Sequence, residues 1–364
     1  MPPAATARML ACVQHRKLGR TELEVPVVVF GAWAIGGWNW GGSDEALSVR
    51  AIQAGIDAGI DAIDTAPIYG CGRSEELVGR ALQGRRERAL ILTKVGLRWD
   101  DPRGTKFFET VDQDGILRKV WRNSRPDSIV QEVERSLARL GCGHLDLVQI
   151  HWHDPGTPLA DSLGALLELR RRGLVREIGV SNFDVELLEE AQRVLGDVPL
   201  ASDQPKYSLV AREAEREVLP WCARHGVGTL VYSPLEQGLL TGKVDAARNF
   251  PKTDGRHKRG TFTPENRERV NALLQRVVRP IALEHDATLA QVVLAWTLAQ
   301  PGVTSAIAGA RGEGQARENA GAGELVLSVE ELATIRRAFE DLKLAGLAGV
   351  SPGLKGFVKR LLGR

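Results

Sequence analysis

Four side chains that can hold or transfer a proton lie at the ends of apolar segments: Asp64, Tyr69, Lys94 and His151. Asp64 ends the segment "IDAID", and Tyr69 follows five residues later in a glycine-flanked loop. Lys94 comes near the end of "RALILTKVG", and His151 ends "LDLVQIH". Each residue alone has an ordinary structural explanation, as a helix cap, a solvent-exposed amine or a hydrogen-bonded core histidine. If the three segments are neighbouring parallel strands, however, all four side chains meet at one edge.

Together the four residues suit proton transfer to an oxygen that gains negative charge. A tyrosine phenol has a reference pKa of about 10 and is a poor proton donor near neutrality. We expect the Lys94 ammonium to lower that pKa, with Asp64 keeping Lys94 charged and oriented. His151 can donate a hydrogen bond to a carbonyl oxygen, and Tyr69 then acts as general acid. The set lacks a hydride source, so a hydride-donating cofactor must complete the reaction.

Apolar segments alternate with helical patterns over residues 27–339. The strand-like segments are apolar throughout, which is typical of parallel strands covered by helices. Eight strand–helix units predict an α/β fold, a (β/α)8 TIM barrel, whose site lies at the carboxyl ends of the strands. The predicted strands cover residues 27–31, 60–64, 88–96, 145–151, 175–182, 199–204, 227–235 and 303–309.

Several features flank this repeating pattern. "RKLGRTELEVP" predicts an N-terminal β-hairpin, and Ser43 is the expected N-cap of the first helix. Long loops are expected after strand three (residues 97–124) and strand seven (residues 236–264). We expect a disordered tail over 1–14, a single barrel domain over 15–343 and a C-terminal tail over 344–364 that docks on the barrel.

The composition is that of an ordinary soluble globular protein. The 364 residues are 43% hydrophobic and 26% charged, with a net charge of +2, so nothing indicates a nucleic-acid or membrane partner. The four cysteines are scattered without metal-type spacing, and no metal site is expected. Isolated thiols favour a reducing cytoplasm. The sequence leaves the oligomeric state open.

Several motifs resemble the aldo-keto reductase family, in order and with plausible spacing over residues 16–339. They include "GAWAIGGWNWGGSD", "IDAIDTAPIYGCGRSEELVGRAL", "ILTKVG", "LDLVQIHWHDP", "GLVREIGVSNF" and "YSPLEQGLLTGK". The tryptophan-rich first loop is most similar to bacterial members near the general-stress and sugar or aldehyde reductase branches. The resemblance implies a barrel that binds NADPH across the strand ends, with Tyr69 as the proton donor, Asp64 and Lys94 as the pair that sets its pKa, and His151 orienting the carbonyl.

The resemblance also implies the cofactor contacts. Residues matching the carboxamide, nicotinamide-stacking and diphosphate positions are Ser181, Asn182, Gln204, Tyr232, Ser233, Leu235, Gly238 and Lys243, with Trp33 on the first loop. Residues matching the adenosine end are Gly309, Arg311, Gln315 and Asn319. Many members carry a basic residue where Gln315 stands and a Lys-Ser pair where Gly309-Ala310 stand. We nevertheless expect NADP(H) rather than NAD(H), because the guanidinium fork of Arg311 can bind a 2′-phosphate.

The sequence leaves alternatives for the residues of the substrate pocket and for the function. Trp33 and Trp152 flank the expected catalytic strands and are predicted to line a pocket for an aldehyde, ketone or sugar-like ring, whereas Trp38, Trp40, Trp99 and Trp121 are expected to be packing residues. The leading hypothesis is an NADPH-dependent reductase of small carbonyl compounds that also oxidises alcohols. The alternative is a nucleotide-sensing binding module of the same fold with slow turnover.

Overall fold

The computed structural model describes residues 13–112 and 114–344 and contains the predicted closed barrel. Eight parallel strands pair in sequence order, and the last strand pairs with the first through Ala308 and Phe30. The strands are β1 Val28–Gly31, β2 Ala62–Asp64, β3 Leu90–Val95, β4 Leu145–Ile150, β5 Val175–Ser181, β6 Ser202–Gln204, β7 Gly228–Tyr232 and β8 Ser305–Gly309. The prediction of a (β/α)8 barrel is therefore confirmed.

Helices cover the outside of the barrel and bury their apolar faces against the strands. They are α1 Glu45–Asp57, α2 Arg73–Leu82, α3 Pro126–Leu140, α4 Leu159–Arg171, α5 Val185–Leu195, α6 Val218–His225, α7 Pro264–Leu273, α8 Arg279–Glu284, α9 Leu289–Leu298, α10 Glu313–Gly321 and α11 Val329–Glu340. None of the helices in the described ranges is long and apolar enough to cross a membrane.

Local sequence signals explain where the helices begin and end. Pro126 opens α3, where the missing N–H costs no hydrogen bond, and Gly141 ends it in the left-handed conformation. The predicted N-cap of α1 was wrong by one residue, because the Asp44 side chain, rather than that of Ser43, accepts the hydrogen bond from the Leu47 amide.

The predicted N-terminal hairpin closes the amino end of the barrel. Its strands, His15–Lys17 and Glu24–Pro26, pair antiparallel. Leu18 and Val25 are fully buried and pack with apolar side chains inside the barrel, including Leu92. The hairpin therefore fills the end of the barrel opposite the site, and the carboxyl ends of the strands remain open for ligands.

The two long segments differ in regularity. The one after β3 contains three antiparallel strands, Leu97–Arg98, Thr105–Val111 and Leu117–Arg122, where the sequence analysis expected only a loop. The segment after β7 is a long loop, as predicted. It contains short 3-10 turns and no α-helix before α7 begins at Pro264. It contacts the loop after β1, because Trp40 and Asp254 form an isolated β-bridge. The predicted tails of 1–14 and 344–364 lie almost wholly outside the described residues.

Candidate active site

Asp64 and Lys94 form a buried ion pair at the carboxyl end of the barrel. Strand pairing places Asp64 opposite Leu92, two residues before Lys94 on the neighbouring strand β3. The Lys94 Nζ atom donates hydrogen bonds to Asp64 Oδ1 at 2.7 Å and to the Thr65 carbonyl at 3.0 Å. Gln204 on β6 donates to the second Asp64 oxygen at 2.8 Å. Both carboxylate oxygens are therefore engaged.

Tyr69 lies directly above this pair. The Lys94 ammonium is 5.1 Å from the centre of the tyrosine ring. The loop carrying Tyr69 is held from below by Ser74, whose hydroxyl donates to the Ala32 carbonyl on the first loop at 2.8 Å and is 2.9 Å from the Thr65 hydroxyl. A buried hydroxyl network thus fixes the Tyr69 loop against the end of β1.

Close backbone packing also positions Tyr69. Gly70 has a φ of +68°, and a Cβ there would lie 2.3 Å from the Gly36 carbonyl oxygen. A Cβ at Gly36 would in turn lie 2.8 Å from the Tyr69 carbonyl oxygen. Only glycine fits both positions without movement of one loop.

His151 completes the cluster. The ring centroids of Tyr69 and His151 are 5.8 Å apart, and the rings are nearly perpendicular. Burial, together with the nearby Lys94 charge, holds the pKa of His151 well below its usual 6.5. The imidazole is therefore neutral near pH 7, and one ring nitrogen carries a proton that it can donate.

The pKa of Tyr69 differs from the expectation. Burial raises it well above 10, and the Asp64 carboxylate raises it further. The predicted net lowering of the pKa of Tyr69 was wrong, because burial of the phenol and the nearby Asp64 carboxylate outweigh the effect of the Lys94 ammonium. Tyr69 thus remains protonated throughout the neutral range, as a proton donor must.

A cavity of about 1370 Å³ opens above these residues. Ordinary small-molecule pockets measure roughly 300–1,000 Å³, so this one has room for a dinucleotide and a second ligand. Every residue that the sequence analysis placed in a cofactor, catalytic or pocket role lines it except Lys94, which is fully buried beneath the floor.

Polar side chains from β5 to β7 form one wall beside His151. The Asn182 amide donates to the His151 carbonyl at 3.1 Å and to the Ser181 hydroxyl at 2.9 Å. Its oxygen accepts a hydrogen bond from the Tyr232 hydroxyl at 2.9 Å. This wall offers the donors and acceptors that recognition of a carboxamide requires.

The far end of the cavity is rich in cations. Lys243 pairs with Glu318 at 2.8 Å. Arg311 donates to the Trp40 and Gly42 carbonyls at 3.1 and 2.6 Å, and its own amide donates to Gln315. Such a concentration of cations fits an elongated anionic ligand.

Comparison with known proteins decides the family. The family model described as the aldo/keto reductase family matches residues 27–340. The chain belongs to the aldo-keto reductase family. It is accordingly an oxidoreductase of the class that carries out NAD(P)H-dependent carbonyl reduction.

Its relatives include bacterial reductases. The chain is 36% identical to aldo-keto reductase YhdN of Bacillus subtilis, over 83% of this chain and 86% of the relative. It is 35% identical to the NADH-specific methylglyoxal reductase of Escherichia coli, over 90% and 98%. Among solved structures, the glycerol dehydrogenase AKR11B4 from Gluconobacter oxydans superposes with a TM-score of 0.79 at 36% identity, covering 93% of this chain and 98% of that one.

The aromatic side of this aldo-keto reductase's cavity is larger than the sequence predicted. Trp33 and Trp152 line it as expected, but Trp38 and Trp40, assigned to packing, line it too. Phe107 and Phe108 also contribute, from the antiparallel sheet that the sequence analysis missed. The signal for that hairpin was the Asp114-Gly115 pair, which lies between two short segments that contain apolar residues.

Several cationic residues of the cavity were missed. Among them, Arg256 and Arg259 line it from the loop after β7. No periodicity or motif in the sequence marks them, because a loop without regular structure does not reveal which side chains point inward.

Proposed function

We propose that this protein reduces aldehydes or ketones to alcohols with NADPH, and catalyses the reverse reaction, with Tyr69 as the general acid. The observation that carries the proposal is the meeting of Tyr69 and His151 on the cavity floor, 5.8 Å apart between ring centroids, above the buried Asp64–Lys94 pair. Burying a charged ammonium is costly, so a residue that only filled space at this position would not need the charge of Lys94.

The chain's residues fit a nicotinamide cofactor. Ser181, Asn182 and Gln204 would hold the carboxamide, and Tyr232 would stack on the ring. The diphosphate would lie along Ser233, Leu235, Gly238 and Lys243. When bound, the reduced nicotinamide supplies the hydride.

Tyr69 and His151 then act on the oxygen of the carbonyl group. The neutral His151 donates a hydrogen bond that fixes the direction of the carbonyl. Tyr69 gives its proton to the same oxygen as that oxygen becomes an alkoxide. Although burial raises the pKa of Tyr69, an alkoxide is more basic than a phenolate, so the transfer remains favourable.

The Asp64–Lys94 pair prepares this step from beneath. Lys94 lies close enough to the Tyr69 ring for its charge to stabilise the phenolate that remains after transfer. Asp64 keeps the ammonium in place through a 2.7 Å hydrogen bond. Lys94 is fully buried and Asp64 is only 2% exposed, so solvent screens their effect little.

For the cofactor, the proposal is NADPH rather than NADH. The support is Arg311 at the adenosine end, whose planar guanidinium suits a phosphate. The name of the Escherichia coli relative specifies NADH, so this preference requires direct measurement.

For the substrate, small aldehydes, ketones or sugar-like carbonyls fit the aromatic wall. The relatives named for methylglyoxal and glycerol support a small oxo or hydroxy compound. The reductase names among the relatives do not favour the alternative of a nucleotide-sensing module. A reducing cytoplasm remains the proposed location, because Cys71, Cys142 and Cys222 are free thiols.

The test is to mix the purified protein with NADPH or NADH and a panel of aldehydes and ketones, and to follow the absorbance of the reduced nicotinamide. Carbonyl-dependent oxidation of NADPH supports the proposal. Tight cofactor binding with no turnover of any carbonyl would refute it and favour the sensing module.

A further inference from the structure

Arg259 lies where the cofactor end of the cavity meets the aromatic pocket. Its guanidinium carbon is 5.8 Å from the ring centre of Trp33, and the Trp33 ring is 6.2 Å from that of Tyr69. The backbone is anchored on both sides, since the Arg259 amide donates to the Arg256 carbonyl and the Phe262 amide donates to the Arg259 carbonyl. A continuous row of rings thus joins Arg259 to the proposed proton donor.

The guanidinium of Arg259 has no hydrogen-bond or ion-pair partner within residues 13–112 and 114–344. Its Nε atom is buried without a hydrogen bond, and no side-chain hydrogen bond or ion pair joins it to a described residue. The nearest carboxylates are already engaged by other cations. Glu236 pairs with Lys206 at 2.5 Å, and Asp254 pairs with Arg256 at 2.7 Å.

Burial makes this isolation costly. It lowers the pKa of Arg259 to about 10, so the side chain stays charged near pH 7 although its Nε atom is out of contact with solvent. Two other cations of the cavity differ in this respect. Lys243 has a carboxylate partner, and Arg311 donates to two carbonyls. Of these three cations, Arg259 is therefore the one whose charge a ligand would compensate most.

We propose that Arg259 recognises a carboxylate or phosphate group carried by the carbonyl substrate, an inference that rests on the proposed reductase function. The anion would sit on the guanidinium beside Trp33, while the carbonyl end of the same molecule reaches Tyr69 and His151. The aromatic wall packs against the carbon chain between them. The substrate class is thus a short aldehyde or ketone with an anionic group at its other end.

The diphosphate of the cofactor is the competing source of the same chemistry. The residues proposed for it lie on the loop that directly follows β7, and the Arg256 guanidinium lies beside them, 3.7 Å from where a Cβ at Gly238 would stand. Arg256 is already fixed, because it donates to the Gln237 carbonyl at 3.1 Å and stacks on Trp40 at 4.9 Å. Arg259 instead stacks on Trp33, whose ring is 6.2 Å from that of Tyr69, and this proximity to the proposed proton donor favours the substrate.

The test compares Arg259→Met with wild type on matched substrate pairs, 4-oxobutanoate against pentanal and glyceraldehyde 3-phosphate against glyceraldehyde. Methionine keeps an apolar contact with Trp33 and removes the charge. We expect kcat/KM for the anionic member of each pair to fall about tenfold to a hundredfold, the value of one charge-assisted hydrogen-bonded contact. The neutral member and the Kd of NADPH should stay within about twofold. Arg259→Lys should restore part of the loss, and Arg193→Met, an exposed arginine on α5, serves as control.

A binding measurement separates failure of this inference from failure of the proposed function. Inorganic phosphate is titrated into wild type and Arg259→Met at saturating NADP+, and tryptophan fluorescence is followed, since Trp33 lies under the guanidinium. Saturable quenching in wild type that Arg259→Met loses supports the anion site even if no carbonyl is reduced. Identical titrations overturn it. If Arg259→Met lowers kcat/KM equally for neutral and anionic substrates and weakens NADPH binding, the substrate-anion site is also overturned. Arg259 is then assigned to the cofactor.

Discussion

The Lys94 ammonium donates a 2.7 Å hydrogen bond to the Asp64 carboxylate, and neither side chain is more than 3% exposed. A pair buried this deeply is held by geometry as well as by charge, because each partner compensates for the lost hydration of the other. Gln204 engages the second Asp64 oxygen, so the pair also links β2, β3 and β6 across the barrel.

Breaking this pair should destabilise the fold strongly. Asp64→Asn leaves the Lys94 ammonium buried without a counter-charge, and we expect the free energy of unfolding to fall by about 3–5 kcal/mol. The double variant Asp64→Asn/Lys94→Met should lose less than the sum of the two single changes. Urea unfolding followed by circular dichroism measures this, with Lys17→Met, which removes only an exposed pair, as control. Additive losses would contradict the coupling.

His151 should make the free energy of unfolding depend on pH in the acidic range. Its folded-state pKa lies well below 6.5, so the unfolded chain takes up a proton as the pH falls through about 6.5 while the folded protein does not. The free energy of unfolding should therefore decrease on acidification below that pH, by up to about 1.4 kcal/mol per pH unit.

The variant His151→Gln isolates this contribution. Unfolding free energies of wild type and variant are compared at pH 7.5 and pH 5. The wild type should lose more stability on acidification than the variant. Parallel pH curves would mean that His151 titrates normally in the folded protein.

Gly70 should be required to position Tyr69, in addition to allowing a positive φ that other residues adopt only with a loss of stability. Gly70→Ala places a Cβ 2.3 Å from the Gly36 carbonyl, whereas Gly84→Ala creates the same positive-φ strain with nothing within 4 Å. Both should lose about 1–2 kcal/mol of stability through φ. Only Gly70→Ala should also lower kcat, by about tenfold to a hundredfold, because the phenol moves. Equal kcat values in the two variants would argue against this positioning role.

Arg311 should discriminate between the two cofactors. Arg311→Met removes the guanidinium proposed for the 2′-phosphate, so the Kd of NADPH should rise about tenfold or more while that of NADH changes little. Fluorescence titration with both cofactors measures this. Arg317→Met, an exposed arginine on α10, is the matched control. An equal change in the Kd of both cofactors would show that Arg311 does not recognise the 2′-phosphate.

The sequence predicted the barrel and its catalytic face because both depend on strong local patterns. Once eight apolar strands are recognised, their parallel pairing determines that residues at their carboxyl ends, such as Asp64 and Lys94, lie on the same face of the barrel. What it missed depends on tertiary placement. Phe107 entered the cavity from an inserted sheet, and the orientation of Arg259 depends on an irregular loop. The pKa of Tyr69 was misjudged because the spacing of residues does not reveal how deeply a phenol is buried.

The central claim is that the Tyr69 phenol supplies the proton. The measurement is kcat/KM of Tyr69→Phe for an aldehyde that the wild type reduces, together with the Kd of NADPH. Removing the hydroxyl should lower kcat/KM by about 10²–10⁴-fold while the Kd stays within about twofold of wild type. A Tyr69→Phe variant that reduces the aldehyde at the wild-type rate would contradict the account.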